Sequence, residues 1–326
     1  MSLHYTMRLL CLCFASFFVV HGALALVARL SAGPALRIAE HLRPRSAARL
    51  LFTLRLLPLL MTISAVLIFC VPSYLWLEPE GTGERVGLVC VLAALLGVAV
   101  WVPAMVRVFS AVRRTTRYLD HCRRQGSRIS LPGDASAALL LADQTPVLAV
   151  AGVFRPQLLI SRQVMQELSP EERESALRHE RAHRAAGDNF KRLLVLLAPD
   201  ILPLVRCFGR LDRAWSKFTE WAADDQATEG DPHRALSLAA ALVQVAKMGS
   251  KPRLGYLSCS LTGDDQDLSE RVERLLHPQP KTYEPARELF SLLTSAAALA
   301  ASAVAVMALW PASLTVVHRA LEHLVR

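Results

Sequence analysis

Apolar positions along the chain fall into two regimes. Four uncharged apolar runs, Leu9–Ala28, Leu56–Leu77, Val86–Val106 and Leu289–Val317, each come near or exceed the ~20 residues a helix needs to cross a bilayer. They predict four transmembrane helices. Between the third and the fourth lie about 180 residues of mixed polarity, enough for one domain with its own core. The implied division is 1–110 for three spans, 111–287 for a soluble domain, 288–317 for the fourth span and 318–326 for a short tail.

Within that domain the pattern predicts a charged helix continuing the third span to Gln125, then a loop through Gly126 and Pro132. Three short apolar runs follow, Ala138–Ala142, Pro146–Ala151 and Gln157–Ile160, separated by polar punctuation. They read as a small antiparallel sheet. Ser169, Pro170 and Glu172 then form an N-cap, a first helical position and a capping box. The helix they start runs to about Ala186, where Gly187 stops it and Asp188 caps a second, apolar helix, Phe190–Ala198. A third helix is expected over Arg210–Thr228 and a fourth, the last long one, over Pro232–Met248.

Charge orients these elements. The first inter-span stretch holds Arg29, Arg37, Arg43, Arg45, Arg49 and Arg55 against the single acid Glu40, whereas the second has three acids and one arginine. The segment after the third span is again basic. Since short cytoplasmic loops concentrate Lys and Arg, the pattern places the large domain in the cytoplasm and both termini outside an inner (cytoplasmic) membrane. The net charge of +9 follows from these juxtamembrane arginines, so a lipid bilayer is the expected partner and direct nucleic-acid binding is not. A mean hydropathy of +0.32 agrees with spans plus one soluble domain. The seven cysteines show no paired CxxC spacing, four lie within spans, and none is assigned a redox or metal role.

The chemistry sits on the first domain helix, at His179-Glu180-Arg181-Ala182-His183. Histidines four apart stack on one helix face, so both imidazoles can bind one Zn2+. Glu180 between them is placed as the catalytic base that takes a proton from water. Chance gives about 0.03 such motifs in a chain of this composition. A third ligand must come from another element, and Glu220, thirty-seven residues after His183, suits it. Asp224, one turn later, suits the outer role of orienting a ligating histidine. The donor that would stabilise an oxyanion is not evident; His233 and Tyr256 are the candidates.

HExxH followed by ExxxD resembles the gluzincin arrangement, and the chain resembles the BlaR/MecR-type membrane metallopeptidases, the antirepressor family of beta-lactam-inducible systems. The resemblance rests on the three N-terminal spans, Gly152-Val153-Phe154-Arg155-Pro156, Leu168-Ser169-Pro170-Glu171-Glu172, the HExxH motif, Asp188-Asn189, Glu220 to Asp224, and Ser269 to Leu276. It implies a mainly α membrane protein with a cytoplasmic α+β zincin-like domain, one catalytic zinc on His179, His183 and Glu220, and Glu180 as the catalytic group. It also implies a protein substrate, such as a winged-helix transcriptional repressor, held as an added strand at the sheet edge. Two departures stand out: Ala186-Gly187 replace the usual basic residues, and the nine-residue tail cannot hold a penicillin-binding sensor domain, so direct beta-lactam sensing is not expected. A housekeeping protease resembling the HtpX/Ste24 group, which would degrade many membrane proteins, and a non-catalytic zinc-stabilised signalling protein remain as alternatives.

Overall fold

The computed structural model describes residues 3–78, 87–131, 137–142, 146–200, 207–248, 258–260 and 265–277, with 315, 316 and 319. It is mostly helical. Three helical runs are long and apolar enough to cross a membrane. They are α1 (Leu3–Glu40), a continuous run formed by α2 (Pro44–Ala65), a π-helical turn (Val66–Cys70) and α3 (Val71–Leu77), and α4 (Leu88–Gln125). Residues 289–314 of the fourth expected span lie outside the described residues.

The basic stretch 29–55, expected to be a loop, is helical except for a turn at 41–43. The reason is an alanine seam. Ala25, Ala28, Ala32, Ala35 and Ala39 recur at spacings of three and four along α1 and are buried together with Ala47 and Leu51 of α2. Small side chains let the two helices lie close, while Arg29, Arg37, Arg43, Arg45 and Arg49 stay on the exposed side. The hairpin keeps the positive charge of a loop and adds a packing surface, which is taken by Phe208 and by Leu211, Trp215 and Phe218 of α8 (Gly209–Thr228).

At 1.5 Å per residue α4 is about 57 Å long, well beyond the ~30 Å hydrocarbon core. Its far end lies under the sheet, with Leu119 and Cys122 buried against Leu139, Leu141, Val147, Ala149 and Leu159. The strands are β1 (Ser127–Ile129), β2 (Ala138–Leu141), β3 (Leu148–Ala151), β4 (Gln157–Ser161) and β5 (Ser258–Ser260), in the order β1-β2-β4-β3-β5. The expected antiparallel sheet is in fact mixed, because β4 inserts between β3 and β2 and runs parallel to β2. Strands buried on both faces show no polar alternation from which neighbour order could be read. β1 and β5 were not anticipated, being three residues each.

The other sheet face shares its core with α5 (Arg162–Glu167), α6 (Pro170–Ala186), α9 (Pro232–Lys247) and α10 (Asp265–Leu276), whereas α7 (Asp188–Leu197) turns Leu194 and Val195 toward the long apolar helices. Leu148, Val150, Leu158 and Ile160 meet Ala176 and Leu177 of α6 and Leu238, Ala241 and Leu242 of α9. α6 begins with the anticipated capping box: Ser169 Oγ accepts from the Glu172 amide at 3.2 Å and Glu172 Oε2 accepts from the Ser169 amide at 2.8 Å. Gly187 ends it at φ 68°. The expected cap of α7 by Asp188 is not formed: Gly187 holds that position and the Asp188 side chain is used elsewhere. The twelve residues of α10 also lie beyond the helix expected to be the last long one.

Candidate active site

Two turns of α6 bury His179, Glu180 and His183 almost completely. His179 and His183 are one turn apart, and their Nε2 atoms converge to 3.1 Å. Glu220, from α8, brings Oε2 to 3.5 Å from each of them. These three atoms form a group that could hold a metal ion.

Both imidazoles are oriented from behind. His183 Nδ1 lies 2.8 Å from Asp188 Oδ2, and His179 Nδ1 lies 2.9 Å from Asp224 Oδ1. Carboxylates on the two Nδ1 atoms make those nitrogens the proton-bearing ones and leave lone pairs on both Nε2 atoms. Two lone pairs 3.1 Å apart beside a carboxylate repel one another, and a cation among them removes the repulsion. Tetrahedral Zn2+ with bonds of 2.0–2.1 Å requires ligand atoms roughly 3.3 Å apart. The observed spacings of 3.1 and 3.5 Å bracket that value, so the residues fit the ion.

Asp188 was expected to cap a helix. Its link to His183 has a sequence trace, an acid five residues after the second histidine, readable only once a bend after Gly187 is known. A second unanticipated residue is Arg271 of α10. Fully buried, it donates from Nε and Nη2 to the two Asp224 oxygens at 2.9 and 2.7 Å, and places Nη1 3.3 Å from Glu220 Oε2. Its sequence signal is weak, one arginine in a helix of alternating charges, although that helix carries the stretch Ser269 to Leu276. Arg192 of α7 approaches the other Glu220 oxygen at 3.4 Å.

Electrostatics follow from this packing. Burial would raise the Glu220 carboxyl, but His183, His179 and Arg271 hold it well below the usual range. Burial acts likewise on Asp224, and Arg271 with His179 more than reverses it. Glu180 differs: burial pushes it up to about 7 against the pull of the two histidines. Its Oε2 accepts the Val150 amide of β3 at 3.0 Å, and Oε1 has no hydrogen-bond partner among the described residues. Asn189 ties the same strand down, donating to the carbonyls of Val150 and Gly152 at 3.0 and 2.9 Å.

The structure therefore brings together the five residues that the sequence suggested for the metal centre and its base, His179, Glu180, His183, Glu220 and Asp224. Asp225 points away and pairs with Arg274 at the surface. His233 is exposed at the start of α9, apart from the cluster, and Tyr256 lies outside the described residues. The outermost strands of the sheet are β1 and β5, while β3, whose Val150 amide meets Glu180, is paired on both sides, with β4 and β5.

A chain with three helices long and apolar enough to cross a membrane, and with two histidines and a glutamate in a buried cluster that could hold a metal, has the parts of a membrane metallopeptidase. The family model described as BlaR1 peptidase M56 matches residues 79–275, and the chain belongs to that family. No curated protein and no solved structure matches it.

Proposed function

We propose that this chain is a zinc-dependent endopeptidase of the inner membrane, with its catalytic domain in the cytoplasm, that acts in regulatory signalling by cleaving a cytoplasmic protein. The observation that carries the reading is the convergence of His179 Nε2, His183 Nε2 and Glu220 Oε2 beside the buried Glu180 carboxylate. When bound, Zn2+ supplies Lewis acidity that polarises a peptide carbonyl and makes water a better proton donor. His179, His183 and Glu220 would hold the ion, and Asp224 and Asp188 fix the ring orientation of the histidines. Glu180 would accept the proton of the attacking water and pass it to the leaving amine. Arg271 holds Asp224 and Glu220 in place. A substrate strand would add to an edge of the sheet, which is formed by β1 and β5. By family, a winged-helix repressor is the substrate proposed.

The test is zinc content and proteolysis of the full-length protein in detergent, wild type beside Glu180→Gln and His183→Ala. Wild type and Glu180→Gln should each hold about one zinc, His183→Ala should lose it, and only wild type should cleave itself or a test protein. Proteolysis by Glu180→Gln at the wild-type rate overturns the catalytic role, and a wild type without zinc overturns the site. Cleavage of one repressor rather than many membrane proteins separates regulation from quality control.

A further inference from the structure

Outside the long apolar helices, two aromatic rings are exposed among the described residues, and they are neighbours. Phe154, at the tip of the turn between β3 and β4, is 85% exposed, and Phe190, in the first turn of α7, is 45% exposed. Their ring centroids lie 6.4 Å apart. Asn189 joins the two elements beneath the rings through its bonds to the Val150 and Gly152 carbonyls. The strand turn and the helix start thus form one corner with an apolar tip. A ring this exposed protrudes rather than lining a cleft, and exposed apolar groups that lie together mark a surface with a partner.

Contacts to α4 bracket the height of this corner. On one side of it, α7 leads to Ala198, which packs with Val100 and whose carbonyl accepts from Arg107 Nη2 at 3.5 Å. On the other side, Gly152 lies against Leu119, where an added Cβ would meet Leu119 Cδ1 at 3.2 Å. Eight residues separate Phe190 from Ala198, about 12 Å along the helix, which carries Phe190 down α4 to the stretch between these two markers. There the surface of α4 changes character. Val102, Met105, Val106, Phe109 and Val112 are exposed apolar residues, and Arg113, Arg114 and Arg117 are exposed just after them. On a helix that crosses a bilayer such a change marks the headgroup region, where hydrocarbon ends and arginines meet anionic lipid. Arg155, next to Phe154, is exposed as well.

We propose that Phe154 and Phe190 are an interfacial anchor, inserted at the boundary between headgroups and acyl chains of the bilayer, with Arg155 among the anionic headgroups. The inference rests on the reading of α4 as a span. Continuity with the exposed apolar face of α4 and the protruding shape favour a lipid surface over a protein partner. The anchor holds the corner from which Val150 meets Glu180 and Asp188 meets His183, and so fixes the candidate site at the membrane surface.

The experiment uses the full-length protein in vesicles of phosphatidylcholine and phosphatidylglycerol, with or without bromine on the acyl chains. Phe154→Trp, Leu95→Trp and Leu236→Trp are each read as the emission gained over wild type, whose five tryptophans supply the background. Leu95, exposed on α4, reports the span, and Leu236, exposed on α9 at the sheet face away from α4, reports water. Brominated lipid should quench the added emission of Phe154→Trp and Leu95→Trp and spare that of Leu236→Trp, whereas aqueous iodide should quench only the last. Lipid quenching of Leu95→Trp without Phe154→Trp overturns the anchor and leaves the span standing; iodide quenching of Phe154→Trp then assigns the corner to water or to a protein partner. Lipid quenching of neither overturns both. Should Phe154→Trp fail to fold, a lipid-borne diazirine on wild type decides instead: it should label the peptide holding Val153 to Pro156, and an unlabelled peptide overturns the anchor. Glu180→Gln should behave as wild type in either assay, so the outcome is independent of the peptidase assignment.

Discussion

Asp188 and Arg271 show how single side chains set the properties of the candidate metal centre. Asp188 fixes the ring of His183 at 2.8 Å and so chooses which nitrogen is free to bind. Asp188→Ala should weaken zinc binding about 10–100-fold, the usual effect of losing a carboxylate behind a ligating histidine. Competition against a chromogenic chelator measures this; wild-type affinity in the variant removes Asp188 from the centre. Arg271 neutralises Asp224 and Glu220 in a place closed to water. Arg271→Met leaves buried carboxylate unpaired and should cost about 3–5 kcal/mol of stability, read from denaturant unfolding of the zinc-free protein. Arg271→Lys should rescue only partly, because an ammonium cannot match the two-point contact with Asp224. Rescue by Lys to wild-type stability would show that charge alone matters.

Elements respond to backbone geometry and to close approach. Gly97 on α4 lies against α1: a Cβ built there meets the Phe14 carbonyl oxygen at 2.3 Å, whereas one at Gly22 meets nothing within 4 Å. Gly22→Ala should be neutral or stabilising by up to about 1 kcal/mol through helix propensity. Gly97→Ala should instead lower the melting temperature in detergent, since the two helices must separate to accept one methyl group. Equal melting of the two variants would contradict the α1–α4 packing. On α6, Ser169→Ala removes one half of a capping box and should cost about 1 kcal/mol. Gly187→Ala has space for its methyl but a φ of 68°, so its cost, about 1–2 kcal/mol, is purely conformational. Both are measurable by unfolding, and the second should also reduce zinc affinity, because the bend at Gly187 is what turns Asp188 back to His183.

At the scale of the molecule, the long apolar helices are joined to α7 and α8 by a charged knot. Arg55 of α2, almost completely buried, reaches Asp212 at 3.1 Å, Asp200 at 3.5 Å and the Ala198 carbonyl at 2.9 Å, and lies 4.6 Å above the Phe208 ring. Arg107 of α4 adds a second contact to Asp200 at 3.3 Å. The knot holds the end of α7 and the start of α8, the helices that carry Asp188 and Glu220. Arg55→Leu should lower thermal stability in detergent and speed limited proteolysis between 198 and 209, with zinc content close to wild type. Unchanged proteolysis would mean that the apolar contact between α2 and α8 suffices without the knot.

Legibility in the sequence follows from the range of each interaction. Apolar run length marked the three long apolar helices among the described residues, and the local chemistry of Ser169, Glu172 and Gly187 bounded α6 within a residue, because caps and helix periodicity act over four or five positions. HExxH was readable for the same reason, both histidines sharing one helix face. The ExxxD pair on α8 could be proposed from spacing, but its meeting with α6 depends on how two helices cross. Asp188 was read as a cap because the same residue serves either role, and only the orientation of α7 decides between them. The order of β2, β4 and β3, the alanine seam that turns a basic loop into a hairpin, and the burial of Arg271 were decided by tertiary structure alone. Each joins residues far apart in the chain, and no local pattern encodes which buried surfaces meet.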